Sequence, residues 1–257
     1  MSDPSFPAAF SLEGESALVT GGGTGLGLAI ARCLAAAGAR VAIAGRRKHV
    51  LESALASIGS GAAAVPGDLA RLDGIPAILD AAERAAGPLS ILVNNAGIQK
   101  KRSALETPDA DLAEALGIHV ASAYALAREA AWRMIRRRHG HVLFVSSMAA
   151  LFGLPKLSAY AAAKGAVTSL VRSLALEWSA DGVRVNAIVP GWIDEGMAAK
   201  SLEEDPVRKA RVLGRTPAGR LGKPDDVGWA AVYLSSKAAS FVTGASLVVD
   251  GGASVGF

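Results

Sequence analysis

The sequence predicts an α/β fold, a single doubly wound domain whose parallel sheet carries helices on both faces. Three observations predict it. Short β-branched runs alternate along the chain with longer alanine-rich segments of helical period. The runs are almost continuously apolar, which suits strands covered on both sides. A glycine-rich turn joins the first run to the first helix, as expected where a backbone must approach a phosphate closely. No proline-rich linker, low-complexity segment or internal repeat divides the 257 residues, so one domain is expected.

The elements follow in order. SALVT is the first strand, and TGGGTGLG, Thr20 to Gly27, leads into the helix LAIARCLAAAG. Gly21, Gly25 and Gly27, with Thr24 and Leu26 between them, permit a tight turn, close approach of a pyrophosphate to N–H groups, and close packing of helix on strand. RVAIAG is the second strand. Its end faces the adenosine ribose in such a fold, and an acid there would accept the ribose hydroxyls; here Gly45 is followed by Arg46 and Arg47, which suit a 2′-phosphate. The expectation is NADP(H), with NAD(H) possible, against the plainer reading of two solvated arginines. AAAVPG is the third strand, with Asp68 and Leu69 beyond it on the adenine side. SILVNN is the fourth, ending in Asn94, Asn95, Ala96 and Gly97, small enough for a cofactor to lie against the backbone. The fifth strand, HVLFVSS, precedes SAYAAAKGAV. There Tyr160 and Lys164 stand four residues apart on one helix face, with alanines leaving room between; a small-residue packing face is the competing reading. VRVNAIVP and SLVVDGG complete the strands, and the charged stretch 192–217 between them is expected to be a helical excursion covering a ligand.

Composition narrows the function. The chain is 51% hydrophobic with 29 glycines and only 5% aromatic residues, as suits a packed α/β enzyme. No apolar run reaches the roughly 20 residues of a membrane span, and MSDPSFPAAF lacks the features of a signal peptide, so a cytoplasmic protein is expected. The net charge is +4, and the basic run Arg136 to Arg138 closes a helical stretch, where it complements the dipole; nucleic acid is not implied. Cys33 is the only cysteine and reads as buried filler. Histidines 49, 119, 139 and 141 show neither HExxH spacing nor a cysteine pair, so no metal site is expected.

TGGGTGLG, NNAG, the serine pair of VSSMA, YAAAK and PGWI occur in the order and spacing of the short-chain dehydrogenase/reductase family, which the chain resembles from about Leu12 to Gly252. The resemblance implies a Rossmann-like sheet of about seven parallel strands, with 12–100 mainly the dinucleotide-binding half and 101–252 the catalytic and substrate half. It implies NAD(P)-dependent interconversion of an alcohol and a ketone, and assembly as a dimer or tetramer. It assigns catalysis to Tyr160, Lys164 and, thirteen residues before the tyrosine, Ser147 rather than Ser146. Pro190, Gly191 and Ile193 of PGWI are then expected at the cofactor. A phenol of pKa about 10 needs nearby positive charge to act as a base, which Lys164 would supply; in the reverse direction Tyr160 protonates the alkoxide while Ser147 donates to it.

Two positions depart from the family pattern. His119 stands where an asparagine helps hold a water near the lysine, and a histidine relay would imprint its own titration on the rate near neutrality. Glu195 stands where PGxIxT has threonine. Within the family the chain looks most like the gluconate 5-dehydrogenase and 2-deoxygluconate dehydrogenase branch, and Lys100, Lys101 and Arg102 are candidates to meet a substrate carboxylate. A ketoreductase of acyl thioesters or other small carbonyls is the enzymatic alternative. A non-catalytic NADP(H)-binding regulator is the alternative of another class.

Overall fold

Parallel neighbours need crossover connections, and the alanine-rich segments supply them as helices. The computed structural model describes residues 7–195 and 202–256. Its strands are β1 (Ser16–Thr20), β2 (Arg40–Gly45), β3 (Ala63–Pro66), β4 (Ile91–Asn94), β5 (Gly140–Val145), β6 (Val183–Pro190) and β7 (Ser246–Val249). They form one sheet in the order β3-β2-β1-β4-β5-β6-β7, every pairing parallel. Each overlaps one of the apolar runs picked out in the sequence. The order reverses between β1 and β4, so the carboxyl ends of those two strands open the crevice where ligands bind in open sheets of this kind.

The helices are α1 (Gly25–Ala36), α2 (Lys48–Ile58), α3 (Ile75–Ala86), α4 (Asp109–Leu116), α5 (Ala123–Arg137), α6 (Ser158–Trp178), α7 (Pro206–Arg215) and α8 (Pro224–Ser235). Two cores result, one on each face. Leu18, Leu79, Leu126, Phe144, Val171 and Val185 fill the side of α3, α5 and α6, while Val19, Ile30, Leu34, Ile43, Val93 and Val227 fill the side of α1, α2 and α8. Leu18 and Val19 are consecutive and both fully buried, because successive side chains of a strand point to opposite faces. That is why the strands read as unbroken apolar runs.

Cys33 packs as expected. A Cβ added at Gly228 of α8 would lie 2.5 Å from its sulfur, so α1 and α8 approach at their backbones, and burial pushes the thiol up to about 11. The arginines closing α5 are tied down rather than merely solvated: Arg137 donates to the Leu89 carbonyl and Arg138 to that of Ala180. Helix α7 lies in the stretch 192–217, with Pro206 in its first turn and the Asp205 carboxylate accepting from the Arg208 N–H at 2.9 Å. Residues 196–201 of that stretch lie outside the described residues. Among the described residues no helix is long and apolar enough to cross a membrane.

Candidate active site

The turn from β1 to α1 is closed at Gly22 and Gly27 by groups that leave no space for a side chain. Gly21 and Gly25 adopt φ of 65° and 58°. A Cβ at Gly27 would overlap the Gly21 carbonyl oxygen and the Asn95 amide nitrogen, so helix and turn are in contact there. Thr20 bolts the turn to the end of β4: its hydroxyl donates to the Val93 carbonyl and accepts the Asn95 and Ala96 N–H groups, both at 3.0 Å. Asn95 answers with its side chain, donating to the Thr20 carbonyl at 2.9 Å. Asn94, its neighbour, is buried with neither amide atom partnered among the described residues.

Beside this turn lies a cleft of about 300 Å³. Of the residues the sequence assigned to a cofactor, Gly21, Thr24, Leu26, Gly27, Arg46, Arg47, Asp68, Leu69, Asn95, Ala96 and Gly97 line it together. Arg46 and Arg47 are exposed and make no ion pair among the described residues, so their charges face the cleft unanswered. Gly25 adds the first residue of α1, and the space above it meets only the Glu195 Cγ, 3.9 Å from where a Cβ would stand. Pro190, Gly191 and Ile193 are not in the cleft wall. A Cβ on Gly191 would come within 2.6 Å of the Asp250 backbone, and Ile193 is buried where its backbone bridges to Gly222. Sequence reasoning missed Ile98 and Ile118 in the wall, for which no local motif exists; Thr20 lay inside the quoted turn, so its signal was present.

The strand end of β5 and the first turns of α6 bring the catalytic candidates together. Ser146 is buried with its hydroxyl donating to the Lys164 carbonyl at 3.2 Å, and extended backbone then turns Ser147 the other way, where its side chain hydrogen-bonds Tyr160. Lys164 is only 5% exposed; its ammonium donates to the Val145 carbonyl at 2.7 Å and sits 5.5 Å from the Tyr160 ring centre. Burial pushes Lys164 down to about 7 and pushes the Tyr160 phenol up, against the opposing pull of the Ser147 hydrogen bond. The phenol is thus held protonated beside a cation of unusually low affinity for its proton.

His119 joins this set from a π-helical turn, Gly117–Ser122, between α4 and α5. Its ring stands edge-on to Tyr160, centroids 5.4 Å apart. Nε2 lies 2.7 Å from the Ile98 carbonyl and 3.2 Å from the Ile98 N–H; the shorter contact assigns the proton to Nε2, which leaves Nδ1 a bare, buried acceptor without a partner among the described residues. The expectation of a titration near neutrality is corrected. Burial and, secondly, the Lys164 charge lower His119 to about 4, so the imidazole is neutral near pH 7. Gly97 has to be glycine because a Cβ there would overlap the imidazole.

Tyr160 also borders a smaller pocket, shared with Ile98, Arg102, Asp111, Lys156 and Ser158. Lys100 and Arg102, expected to meet a substrate, pair with carboxylates of the chain. Lys100 pairs with Asp111 at 2.9 Å and Glu114 at 2.5 Å, and Arg102 pairs with Asp111 at 3.3 Å. Burial, then the charges of Arg208 and Lys156, lower the Lys101 pKa.

Known proteins resemble the chain over nearly its whole length. Residues 21–254 match the family described as enoyl-(acyl carrier protein) reductase. The chain is 41% identical over 249 residues to galactitol 2-dehydrogenase (L-tagatose-forming) of Cereibacter sphaeroides, covering 96% of this chain and 97% of that one. It is 39% identical over 247 residues to 2-dehydro-3-deoxy-D-gluconate 5-dehydrogenase of Pseudoalteromonas atlantica, covering 95% and 97%. The crystal structure of gluconate 5-dehydrogenase from Burkholderia cenocepacia in complex with NADP and tartrate superposes with a TM-score of 0.92 at 33% identity, covering 97% of this chain and 99% of that one.

Proposed function

The chain belongs to the short-chain dehydrogenase/reductase family, and from that membership we propose that it is an NADP(H)-dependent oxidoreductase interconverting a secondary alcohol and a ketone, with a sugar acid as substrate. The observation that carries the reading is the Ser147–Tyr160–Lys164 set, joined through Ile98 to a glycine-lined cleft with two unanswered arginines. The cleft fits the cofactor: a Cβ on Gly45 would touch only Leu51, at 3.5 Å, leaving the ribose end open, and no acid at the end of β2 opposes a 2′-phosphate. NADP(H), when bound, supplies or accepts the hydride.

The chain's own groups handle the proton. Tyr160, protonated by its burial, donates to the developing alkoxide of a ketone, and the Ser147 hydroxyl donates a second hydrogen bond there. In oxidation Tyr160 accepts the alcohol proton. Lys164 stabilises the phenolate through space, and the Val145 carbonyl fixes its ammonium while it does so. His119 stays neutral, positions the Ile98 loop, and offers Nδ1 as acceptor for a water beside Lys164. Lys156, which lines the pocket beside Tyr160, favours an acid over a neutral polyol such as galactitol. Initial rates with NADPH and NADP⁺ across sugar acids, polyols, 3-oxoacyl thioesters and simple ketones test the reading. Sugar acids are expected to give the highest kcat/KM; a polyol or thioester preference overturns the substrate class, and firm NADP(H) binding without turnover anywhere overturns the enzyme.

A further inference from the structure

At the amino-terminal end of the sheet, opposite the carboxyl ends that carry Ser147 and the glycine turn, three metal-ligating side chains converge from distant parts of the chain. Glu15 precedes β1, His139 follows α5, and His141 is the second residue of β5. We infer that Glu15, His139 and His141 form a binding site for a divalent metal ion, matched to zinc. Each offers one ligand atom, and all three atoms lie within 4.8 Å of one another. The His139 Nε2 stands 2.9 Å and 3.0 Å from the two Glu15 oxygens. Its ring meets that of His141 edge to face, centroids 5.1 Å apart.

Two features separate this group from an ordinary surface ion pair. His141 is only 9% exposed, yet its Nδ1 is buried without a hydrogen-bond partner among the described residues, a state that costs free energy unless something occupies the site. The backbone also fixes all three positions: Glu15 accepts the Arg40 N–H, His141 donates to the Ser90 carbonyl, and His139 donates to that of Met134. Two imidazoles and one carboxylate form a known zinc set, whereas magnesium and calcium prefer oxygen alone. Ligands of one tetrahedral zinc sit roughly 3.3 Å apart, so closing the site takes a shift of at most about 1.5 Å, which half-exposed His139 can make. That exposure also leaves the fourth position to water.

Arg184 and Arg137 lie close enough to act on His139, and their charges oppose a dication. Both guanidinium groups are engaged elsewhere, Arg184 with the carbonyls of Val242 and Ser236 and Arg137 with that of Leu89. The expected affinity is therefore micromolar rather than that of a closed structural site. Occupation would staple the entry to β1 onto the start of β5 across 124 residues of sequence.

The test is equilibrium dialysis of the intact protein against zinc, with metal analysis and competition by a chromogenic chelator. One zinc per chain is expected, bound at least about tenfold more weakly by His139→Gln and Glu15→Gln, with turnover unchanged in both. His139→Gln alters a half-exposed side chain, so it keeps the test decisive even if His141→Asn fails to fold. His49→Gln, on the exposed face of α2, is expected to bind zinc as the wild type does. Substoichiometric zinc, equal affinity in His139→Gln, or retention of magnesium in preference to zinc overturns the site.

Discussion

Lys164 concentrates the residue-scale physics, since burial that makes it useful also makes it costly. Its folded pKa, about 7, lies below the ordinary 10.5. Below pH 7 the ammonium is present in both folded and unfolded chains and the burial cost is full; between pH 7 and about 10 only the unfolded chain holds the proton, so the cost shrinks as pH rises. Wild type is therefore expected to gain stability on Lys164→Met across that window, by at most about 1.4 kcal/mol per pH unit, and chemical denaturation at pH 6, 8 and 9.5 measures it. A constant difference would place the lysine in water. Tyr160 sits in the same pocket with its proton retained, so Tyr160→Phe should lower kcat by about 10²–10⁴-fold while NADP(H) binding, followed by fluorescence, stays within about threefold. His119 is the residue where sequence and structure part. Neutral in the fold, it should add no inflection of its own, so the kcat profile between pH 6 and 8 should be the same in His119→Asn as in the wild type, and that variant should keep activity within about tenfold because an amide can still bond Ile98. His119→Leu strands the Ile98 backbone group and Nδ1's acceptor role together, at about 1–3 kcal/mol; an active, fully stable leucine variant would remove His119 from the site.

At the scale of elements, the β1–α1 turn and the end of β2 are the parts the sequence announced most directly. Their geometry is local: glycines at fixed spacing, then two arginines directly after the end of the second strand. What lay hidden was long-range. Nothing near Gly97 in sequence says that His119 occupies the space a Cβ would need, and nothing near Lys100 says that Asp111 and Glu114 neutralise it. The His139–His141 pair had no motif spacing because its third member, Glu15, is brought in by the sheet and not by the chain. The open space around Gly45 makes the cofactor preference testable without disturbing the fold. Gly45→Asp with Arg46→Ala places a carboxylate where ribose hydroxyls lie and removes one phosphate contact worth roughly 1.5–3 kcal/mol, or about ten- to a hundredfold in affinity. The ratio of kcat/KM for NADPH over NADH is expected to exceed one in the wild type and to fall below one in the double variant. A wild-type ratio at or below one would return Arg46 and Arg47 to solvent.

The whole molecule exposes several large apolar side chains. Helices α4 and α5 expose Leu112, Leu116, Tyr124 and Trp132, the last with 64% of its surface in water, and Leu105 just before them is fully exposed. Tyr124 and Trp132 are eight residues apart on one helix, close to the same face, and large apolar groups arranged so mark surfaces that another protein covers. A net charge of +4 is too small to keep like copies apart at physiological salt. With both sheet faces covered, the outer helix faces and the edge strands β3 and β7 are what remain for self-association, and α4 and α5 carry several of the large exposed apolar groups. We therefore expect a dimer or tetramer with α4 and α5 at a two-fold interface, the long helices of each copy packing side by side. Trp132→Glu removes an aromatic anchor and buries a charge in its place, which should weaken the assembly by about 2 kcal/mol or more, roughly thirtyfold in dissociation constant. Light scattering on the eluting protein, wild type beside variant at matched concentration, reads the mass directly. A wild-type monomer at tens of micromolar, or an assembly indifferent to Trp132→Glu, would mean that this face meets water or a different partner.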